Sequence, residues 1–294
     1  MPVIGEAIAV TIKNILLATD FTAASDRASD YALALARRYA SSVAIANVYD
    51  PSVVVCYEEA ILGLPNDEKR DVRRELLDLV RDDFIVAGVD AKALPLDGLN
   101  PHRALLEAAK EQEADLIVAG TRSKWELERM VLGSTAEELI RNAPCPVITV
   151  GPNAKEPKSG PLVFRSIVFA TDFSPEAAKA AEYALSFAQD SGAHLYFCYV
   201  VSTQIAPHSS ESLDASFKLA LERLVPPSCR EWCSPYCVVE HGDAAQAILE
   251  LTGRVGAELI VLGARKASFW LRHMERGLTP NLLAEAACPV MTVC

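Results

Sequence analysis

The sequence predicts an α/β protein made of two doubly wound domains, each a five-stranded parallel sheet of strand order 3-2-1-4-5 with helices on both faces. Three observations carry this prediction: the chain repeats itself once, short apolar runs alternate with helical stretches, and those runs are apolar almost throughout. A strand that is apolar on both sides must be covered on both faces of its sheet, as in parallel doubly wound folds. The 294 residues, 51% of them hydrophobic, are enough for two such cores.

The repeat is visible in matching segments. Residues 12–22 match residues 164–174 at a spacing of 152, and both contain Ala-Thr-Asp-Phe. Residues 145–150 match residues 288–293 at a spacing of 143, so the second copy is nine residues shorter in its middle. Copies of this size predict two domains rather than a solenoid. The first domain is predicted over residues 1–151 and the second over residues 162–294. Residues 152–161, which are rich in Pro, Gly and Lys, are predicted as the linker between them.

Each element of the first copy has its own reason. Residues 15–19 form a short apolar run closed by Asp20, which is typical of a buried strand, and residues 43–48 form a second run. Residues 23–39 carry alanine and leucine at helical spacing, and residues 67–86 have apolar residues at that spacing with charges elsewhere. The first half of the copy is therefore predicted as strand, helix, strand, helix.

The second half continues the alternation. Residues 91–96 are a weaker strand pattern, and residues 101–111 predict a helix with Asn100 as its N-cap and proline in its first position. A later helix must stop before Pro144. The remaining strand, helix and strand are predicted over residues 116–119, 133–141 and 147–150. We expect the last strand to pair with its counterpart at 290–293, which removes two exposed sheet edges and makes the chain an intramolecular pseudo-dimer.

Composition and charge limit the partners. The chain has 39 acidic against 28 basic residues, a net charge of −11, which argues against nucleic acid or anionic lipid as a partner. No apolar run approaches the roughly 18–20 residues of a membrane span, and the mildly apolar start contains Glu6 and no basic region. Neither a membrane segment nor a secretory signal is predicted. Eight scattered cysteines fit a reducing compartment, so a cytoplasmic location is expected.

A ligand site is predicted where the strand order reverses, between the first and fourth strands. In doubly wound sheets ligands bind beyond the carboxyl ends of the strands at this point. Asp20 closes the first strand there, and it is either a ligand contact or the N-cap of the following helix. The segment 120–135 after the fourth strand opens with glycine and closes with Gly-Ser-Thr at a helix start. Backbone N–H groups at such a start bind phosphate oxygens.

These residues resemble the universal stress protein family along nearly the whole of both copies. The family's nucleotide-binding pattern is Gly, two residues, Gly, nine residues, Gly, then Ser or Thr. Here it is formed by Gly120, Ser123, Gly133 and Ser134, so the spacing is intact and serine replaces the second glycine. The family features also include the aspartate that closes the first strand, a valine in the second and the ending Ala-Pro-Cys-Pro-Val, here Asp20, Val48 and residues 143–147.

The resemblance implies a site for ATP, with Mg²⁺ shared by the phosphates. It implies that Asp20 and Val48 face the adenosine, while the ribose and phosphates are wrapped by Gly120, Ser123, Gly133, Ser134 and Thr135. Arg122 and Lys124 are either phosphate contacts or solvated loop charges. If residue 123 needs a positive φ, serine costs on the order of 1–2 kcal/mol there. Such a loss weakens the site roughly tenfold without abolishing it.

The second copy departs further from the pattern. It keeps Asp172 and Gly263, but Lys266 and Arg276 stand where the second and third glycines belong, and Gly277 follows one place late. The two long side chains fill the site or hold an anion by charge. We expect a degenerate nucleotide site that serves as a structural partner to the first copy.

The three cysteines Cys229, Cys233 and Cys237, at a spacing of four, are open to two interpretations. They could be soft metal ligands, or incidental thiols near a strand. The second is favoured, because prolines interrupt the segment and the first copy has no counterpart. No metal ligand is therefore assigned.

The function expected from the sequence is that of an adenine-nucleotide-binding stress-response module. Nucleotide would order the 121–132 loop and change a surface that unidentified protein partners recognise. No catalytic motif is present, so no catalytic residue is assigned. The alternatives are a nucleotide-free scaffold, or a slow ATPase or self-phosphorylating protein with Ser134 or Thr135 as acceptor. Further association of two chains into a homodimer is left open.

Overall fold

Ten strands form one continuous sheet in the computed structural model, which describes residues 10–49, 67–121, 133–157, 162–202, 211–264 and 278–294. The strands are β1 (Asn14–Ala18), β2 (Ser42–Tyr49), β3 (Ala91–Asp97), β4 (Leu116–Gly120), β5 (Val147–Val150), β6 (Ser166–Ala170), β7 (His194–Val201), β8 (Ser234–His241), β9 (Leu259–Gly263) and β10 (Val290–Val293). Their order is β3-β2-β1-β4-β5-β10-β9-β6-β7-β8. From either edge inward, each half has the predicted order 3-2-1-4-5.

Helices cover both faces of this sheet. The helices are α1 (Ala23–Tyr39), α2 (Asp67–Leu79), α3 (Pro101–Glu111), α4 (Ser134–Asn142), α5 (Pro175–Ser191), α6 (Glu211–Glu222), α7 (Cys229–Trp232), α8 (Ala244–Val255) and α9 (Leu278–Glu285). One buried apolar cluster packs α1, α2, α5, α6 and α7 against one face, and another packs α3, α4, α8 and α9 against the opposite face. Each half has helices in both clusters, so both faces of its sheet are covered and the doubly wound prediction is confirmed.

The apolar strands are explained by this double covering. Ile15 and Leu17 enter the first cluster and Leu16 enters the second, and all three side chains are buried. Successive side chains of a strand point to opposite faces. A strand at the centre of a doubly wound sheet therefore has no face left for polar residues.

One helix differs from its prediction. Residues 67–86 were predicted as a single α-helix, but α2 ends at Leu79 and a π-helix, Val80–Ile85, follows. Leu76, Val80 and Phe84 are all buried at a spacing of four residues. Such a stripe drifts around an α-helix of 3.6 residues per turn. The wider π-helical turn keeps Phe84 on the buried side.

The two halves join through their last strands. β5 and β10 pair antiparallel, with Ile148 opposite Met291, so the sheet is mixed rather than parallel throughout. The Thr149 hydroxyl donates to the carbonyl of Val290 (3.2 Å), and the Thr292 hydroxyl donates to the carbonyl of Val147 (3.3 Å). The predicted pairing of these two segments is present.

Candidate functional site

Six of the eight predicted site residues lie at the carboxyl ends of the strands of the first half, which is called the edge of the sheet below. Asp20 follows β1, Val48 is near the end of β2, and Gly120 ends β4. Because β2, β1 and β4 are parallel neighbours, their carboxyl ends meet. The other three are Gly133, Ser134 and Thr135, which begin α4. Arg122 and Ser123, like Lys124, lie outside the described residues.

Asp20 builds the turn between β1 and α1. Its Oδ1 accepts hydrogen bonds from the N–H (3.1 Å) and the hydroxyl (2.6 Å) of Thr22. Thr22 is the N-cap of α1, and its side chain forms a capping box with Ser25. The alternative that Asp20 is itself the N-cap is therefore wrong. Among the described residues nothing donates to Oδ2 of Asp20, which leaves that oxygen for a further donor.

The second half repeats this turn. Oδ1 of Asp172 accepts from the N–H of Ser174 (3.0 Å), the N-cap of α5. The residue after each aspartate is left-handed, with φ of 58° at Phe21 and 60° at Phe173. A phenylalanine with positive φ is strained. The repeated aspartate thus has a structural role in the turn of both halves, whether or not a ligand binds.

Gly120 is required by packing at the end of β4. A Cβ on Gly120 would lie 2.9 Å from the carbonyl carbon and oxygen of Ala24, in the first turn of α1. A Cβ on Gly263 would lie 2.4 Å from the amide nitrogen of Ala177, in the first turn of α5. The glycine at this position allows a helix to approach the sheet closely in both halves. Its presence therefore carries no information about a nucleotide.

The start of α4 has the geometry of an anion site. Gly133 is its N-cap, with φ −60° and ψ 139°, and supplies no side chain to cap the first N–H groups. Its own N–H donates to the carbonyl of Thr121 (2.9 Å), which ties the helix start to the end of β4. The acidic residue of the first turn, Glu137, is paired with Arg141 one turn later. The uncapped N–H groups and the helix dipole both favour an anion there.

A buried hydroxyl outside the predicted set of site residues lies beside this helix start. Thr121 is 3% exposed, and its Oγ1 has no hydrogen-bond partner in the described part of the chain. Leaving a buried polar group unsatisfied costs roughly 1–3 kcal/mol. A ligand oxygen or an ordered water would satisfy it. The available sequence signal was a polar residue directly after an apolar strand.

Aromatic side chains meet near the carboxyl end of β7 in the second half. Tyr199 occupies the strand position of Asn47, as the register of β7 and β2 shows. Its ring stacks on Phe217 at 4.3 Å and contacts Phe173 at 5.0 Å between centroids. Burial, and secondarily the charge of Asp172, raise the pKa of Tyr199. Lys266, Arg276 and Gly277, on which the prediction of degeneracy depended, lie outside the described residues.

Two of the three cysteines considered as metal ligands lie in contact. In the described ranges no group of three or more His, Cys, Asp or Glu side chains could hold a metal ion. Cys229 and Cys233 contact each other, with their sulfurs 3.1 Å apart.

No helix of the described ranges is long and apolar enough to cross a bilayer.

Comparison with known proteins agrees with the fold and the repeat. The model of the universal stress protein family matches the chain twice, at residues 11–151 and 164–293. A universal stress protein of Methanocaldococcus jannaschii is 34% identical over 145 residues, which are 49% of this chain and 85% of the relative. The chain belongs to the universal stress protein family, and it carries two copies of the family's domain.

Solved structures resemble the whole chain. A universal stress protein of Archaeoglobus fulgidus superposes with a TM-score of 0.71 at 20% identity, covering 95% of each chain. A protein of Pseudomonas aeruginosa superposes with a TM-score of 0.57 at 16% identity, covering 96% of this chain and 93% of its own. At these identities the likeness concerns the fold of the tandem arrangement.

Proposed function

We propose that the first domain binds an adenine nucleotide, ATP with Mg²⁺ held by its phosphates, and that the protein acts as a regulatory stress-response module. The proposed contacts are Asp20, Val48, Gly120, Arg122, Ser123, Gly133, Ser134 and Thr135. The observation that carries the proposal is the buried hydroxyl of Thr121, which has no hydrogen-bond partner among the described residues and lies beside a start of α4 that has no side-chain cap there. A phosphate oxygen there would meet backbone donors, a hydroxyl and a helix dipole together.

The polar groups around this edge fit the two ends of such a ligand. Oδ2 of Asp20, to which no described residue donates, can accept a hydrogen bond from a hydroxyl or an amine, and half-buried Val48 offers apolar surface. The start of α4 suits the phosphates. Mg²⁺ would be held mainly by phosphate oxygens and water, as is usual for this ion, because the described residues offer no cluster of protein ligands.

The second domain serves as the internal partner in this proposal. Support comes from contacts that cross between the halves besides the β5–β10 pair. The Tyr39 hydroxyl donates to Asp190 (2.9 Å), and the sulfhydryl of Cys294 donates to the carbonyl of Ile140 (3.0 Å). A Cβ on Gly151 would lie 2.5 Å from the carbonyl oxygen of Leu283. We therefore propose an intramolecular pseudo-dimer, with domains over 1–151 and 162–294 and a joining segment over 152–161.

The test is isothermal titration of the full chain with ATP and Mg²⁺, beside a matched pair of variants. Asp20→Ala and Asp172→Ala each remove the aspartate hydrogen bond to the N-cap of a helix. Only Asp20→Ala should weaken binding, by roughly tenfold or more, the worth of a hydrogen bond to a charged group. Equal effects of the two variants would show that both act through stability, and would contradict the assignment of Asp20.

Gly133→Val tests the phosphate end of the site. The backbone of Gly133 is one that any residue adopts (φ −60°), so the variant tests space rather than backbone strain. We expect the unmodified chain to bind one ATP and the Gly133→Val variant to bind none. Absence of binding to the unmodified chain at millimolar ATP would instead favour the ligand-free scaffold.

The proposed regulation involves the segment after Thr121. We propose that bound nucleotide contacts residues 122–132 and thereby changes a surface that a partner protein recognises. This segment contains tryptic sites at Arg122, Lys124 and Arg129. Limited trypsin digestion should be slower there with ATP than without. Identical cleavage, under conditions where titration shows binding, would contradict the regulation but not the binding.

A further inference from the structure

Two cysteines of the second domain are in contact inside the core. Cys229 is the first residue of α7, and Cys233 directly follows the helix. Their sulfur atoms are 3.1 Å apart, and the two residues are 0% and 8% exposed. Both belong to the apolar cluster on the α5 face of the sheet. The contact therefore lies away from the proposed nucleotide site of the first domain.

The local backbone brings the two sulfurs within reach of a covalent bond. The N–H of Cys233 donates to the carbonyl of Cys229 (2.9 Å), which places the residues one helical turn apart. A disulfide needs a sulfur separation of about 2.05 Å, so the gap must close by about 1 Å. Cys233 lies beyond the helix end with φ −144° and ψ 173°, so its side chain is not held by helical geometry. Rotation of the Cys233 side chain is the movement that would close this gap.

Packing alone does not require a thiol at this position. In the first domain, Val89 stands at the corresponding place. It lies two residues before the β3 residue that pairs with Val43 of β2. Cys233 lies two residues before the β8 residue that pairs with Leu195, the equivalent position of β7. Val89 is 7% exposed, nearly the same as Cys233. A hydrocarbon side chain thus fills the equivalent space. The thiol pair is a property of the second domain and not of the fold.

The contact also favours the thiolate form of one cysteine. A hydrogen bond from Cys233 lowers the pKa of Cys229, and the nearby charge of Arg230 acts in the same direction, although burial opposes both. The thiolate is the form of cysteine that reacts with oxidants. Cys237, the next thiol along the chain, differs, because burial raises its pKa to about 11.

We propose that Cys229 and Cys233 form a thiol oxidation site, at which hydrogen peroxide converts the two thiols into a disulfide. The Cys229 thiolate attacks one peroxide oxygen, which forms a sulfenic acid and releases hydroxide. The hydroxide combines with the proton that the Cys229 thiol has lost and becomes water. The sulfur of Cys233 then attacks the sulfenic sulfur, forming the S–S bond and releasing a second water. The two thiols lose two electrons and two protons, and one peroxide becomes two waters.

Peroxide would reach the buried pair through a local opening of α7. α7 is a single turn of four residues, Cys229–Trp232. Short elements with few internal hydrogen bonds open at a small fraction of the global unfolding free energy. In a reducing compartment the resulting disulfide would be transient, as is typical of redox-sensing cysteines.

The experiment uses the position of Arg230 between the two cysteines. The full chain is treated with hydrogen peroxide, its remaining thiols are blocked by alkylation, and it is digested with trypsin without reductant. Trypsin cleaves after residues 223, 230 and 254, so Cys229 and Cys233 fall on separate peptides, 224–230 and 231–254. Mass spectrometry should find these peptides linked after peroxide and separate after dithiothreitol. Absence of the linked species over a peroxide titration overturns the proposal.

Variants identify the partner of Cys229, because the second peptide also contains Cys237. Cys233→Val copies the valine of the first domain, so it should preserve the fold, and it should abolish the link completely. Cys237→Ala is the matched control and should leave the yield of linked peptide unchanged. A link that persists in Cys233→Val and disappears in Cys237→Ala overturns the proposal. Unchanged thermal unfolding of both reduced variants shows that a loss of linkage is not a loss of folding.

Discussion

Replacing Gly120 by alanine should destabilise the chain through one steric contact. The added Cβ would lie 2.9 Å from the carbonyl carbon and oxygen of Ala24 and 3.1 Å from the amide nitrogen of Ser25. These are backbone atoms, so relief requires the start of α1 to move away from β4. Overpacking of this kind typically costs about 1–3 kcal/mol. We expect the free energy of unfolding, measured by urea denaturation, to fall by that amount.

Two further alanine substitutions test whether the contact is the cause. A Cβ on Gly263 would be only 2.4 Å from the amide nitrogen of Ala177, so Gly263→Ala should be more destabilising than Gly120→Ala. A Cβ on Gly253, inside α8, would meet nothing within 4 Å. Gly253→Ala should therefore stabilise the chain by about 0.5–1 kcal/mol through helix propensity. A Gly120→Ala variant as stable as the unmodified chain would refute the reasoning.

Two other predictions concern helix caps and pH. Ser174→Ala should lower the unfolding free energy by about 1 kcal/mol, whereas Asn100→Ala should change it little. The reason is that, of these two N-cap residues, the serine makes a capping hydrogen bond with its side chain and the asparagine does not. Urea denaturation of both variants measures the two changes. Burial, reinforced by nearby acidic residues, raises the pKa of Asp30. Its ionisation therefore opposes folding as pH rises, so Asp30→Asn should melt higher than the unmodified chain at pH 7 and equally at about pH 3.

The placement of the candidate site was predictable from the sequence, and its internal contacts were not. Asp20 and Gly133 were predicted at the carboxyl ends of strands and at a helix start, and they lie there because strand order follows from the repeated alternation. The role of Asp20 in the turn was missed. That role depends on Thr22 being the N-cap of α1. Aspartate and threonine both cap helices, so the sequence alone does not distinguish a helix capped by Asp20 from one capped by Thr22.

The sequence by itself determined the alternation of strands and helices, the duplication and the family, because these follow from periodicity and from similarity along the chain. The bounds of α1 agree with its prediction, since its apolar stripe is local.

Only the tertiary structure decided which contacts those elements make. It showed that Gly120 meets the backbone of Ala24, that Thr121 has a buried hydroxyl without a partner among the described residues, and that Tyr199 stacks on Phe217. Each of these facts is a distance between atoms that folding brings together from separate elements, and no spacing along the chain encodes it.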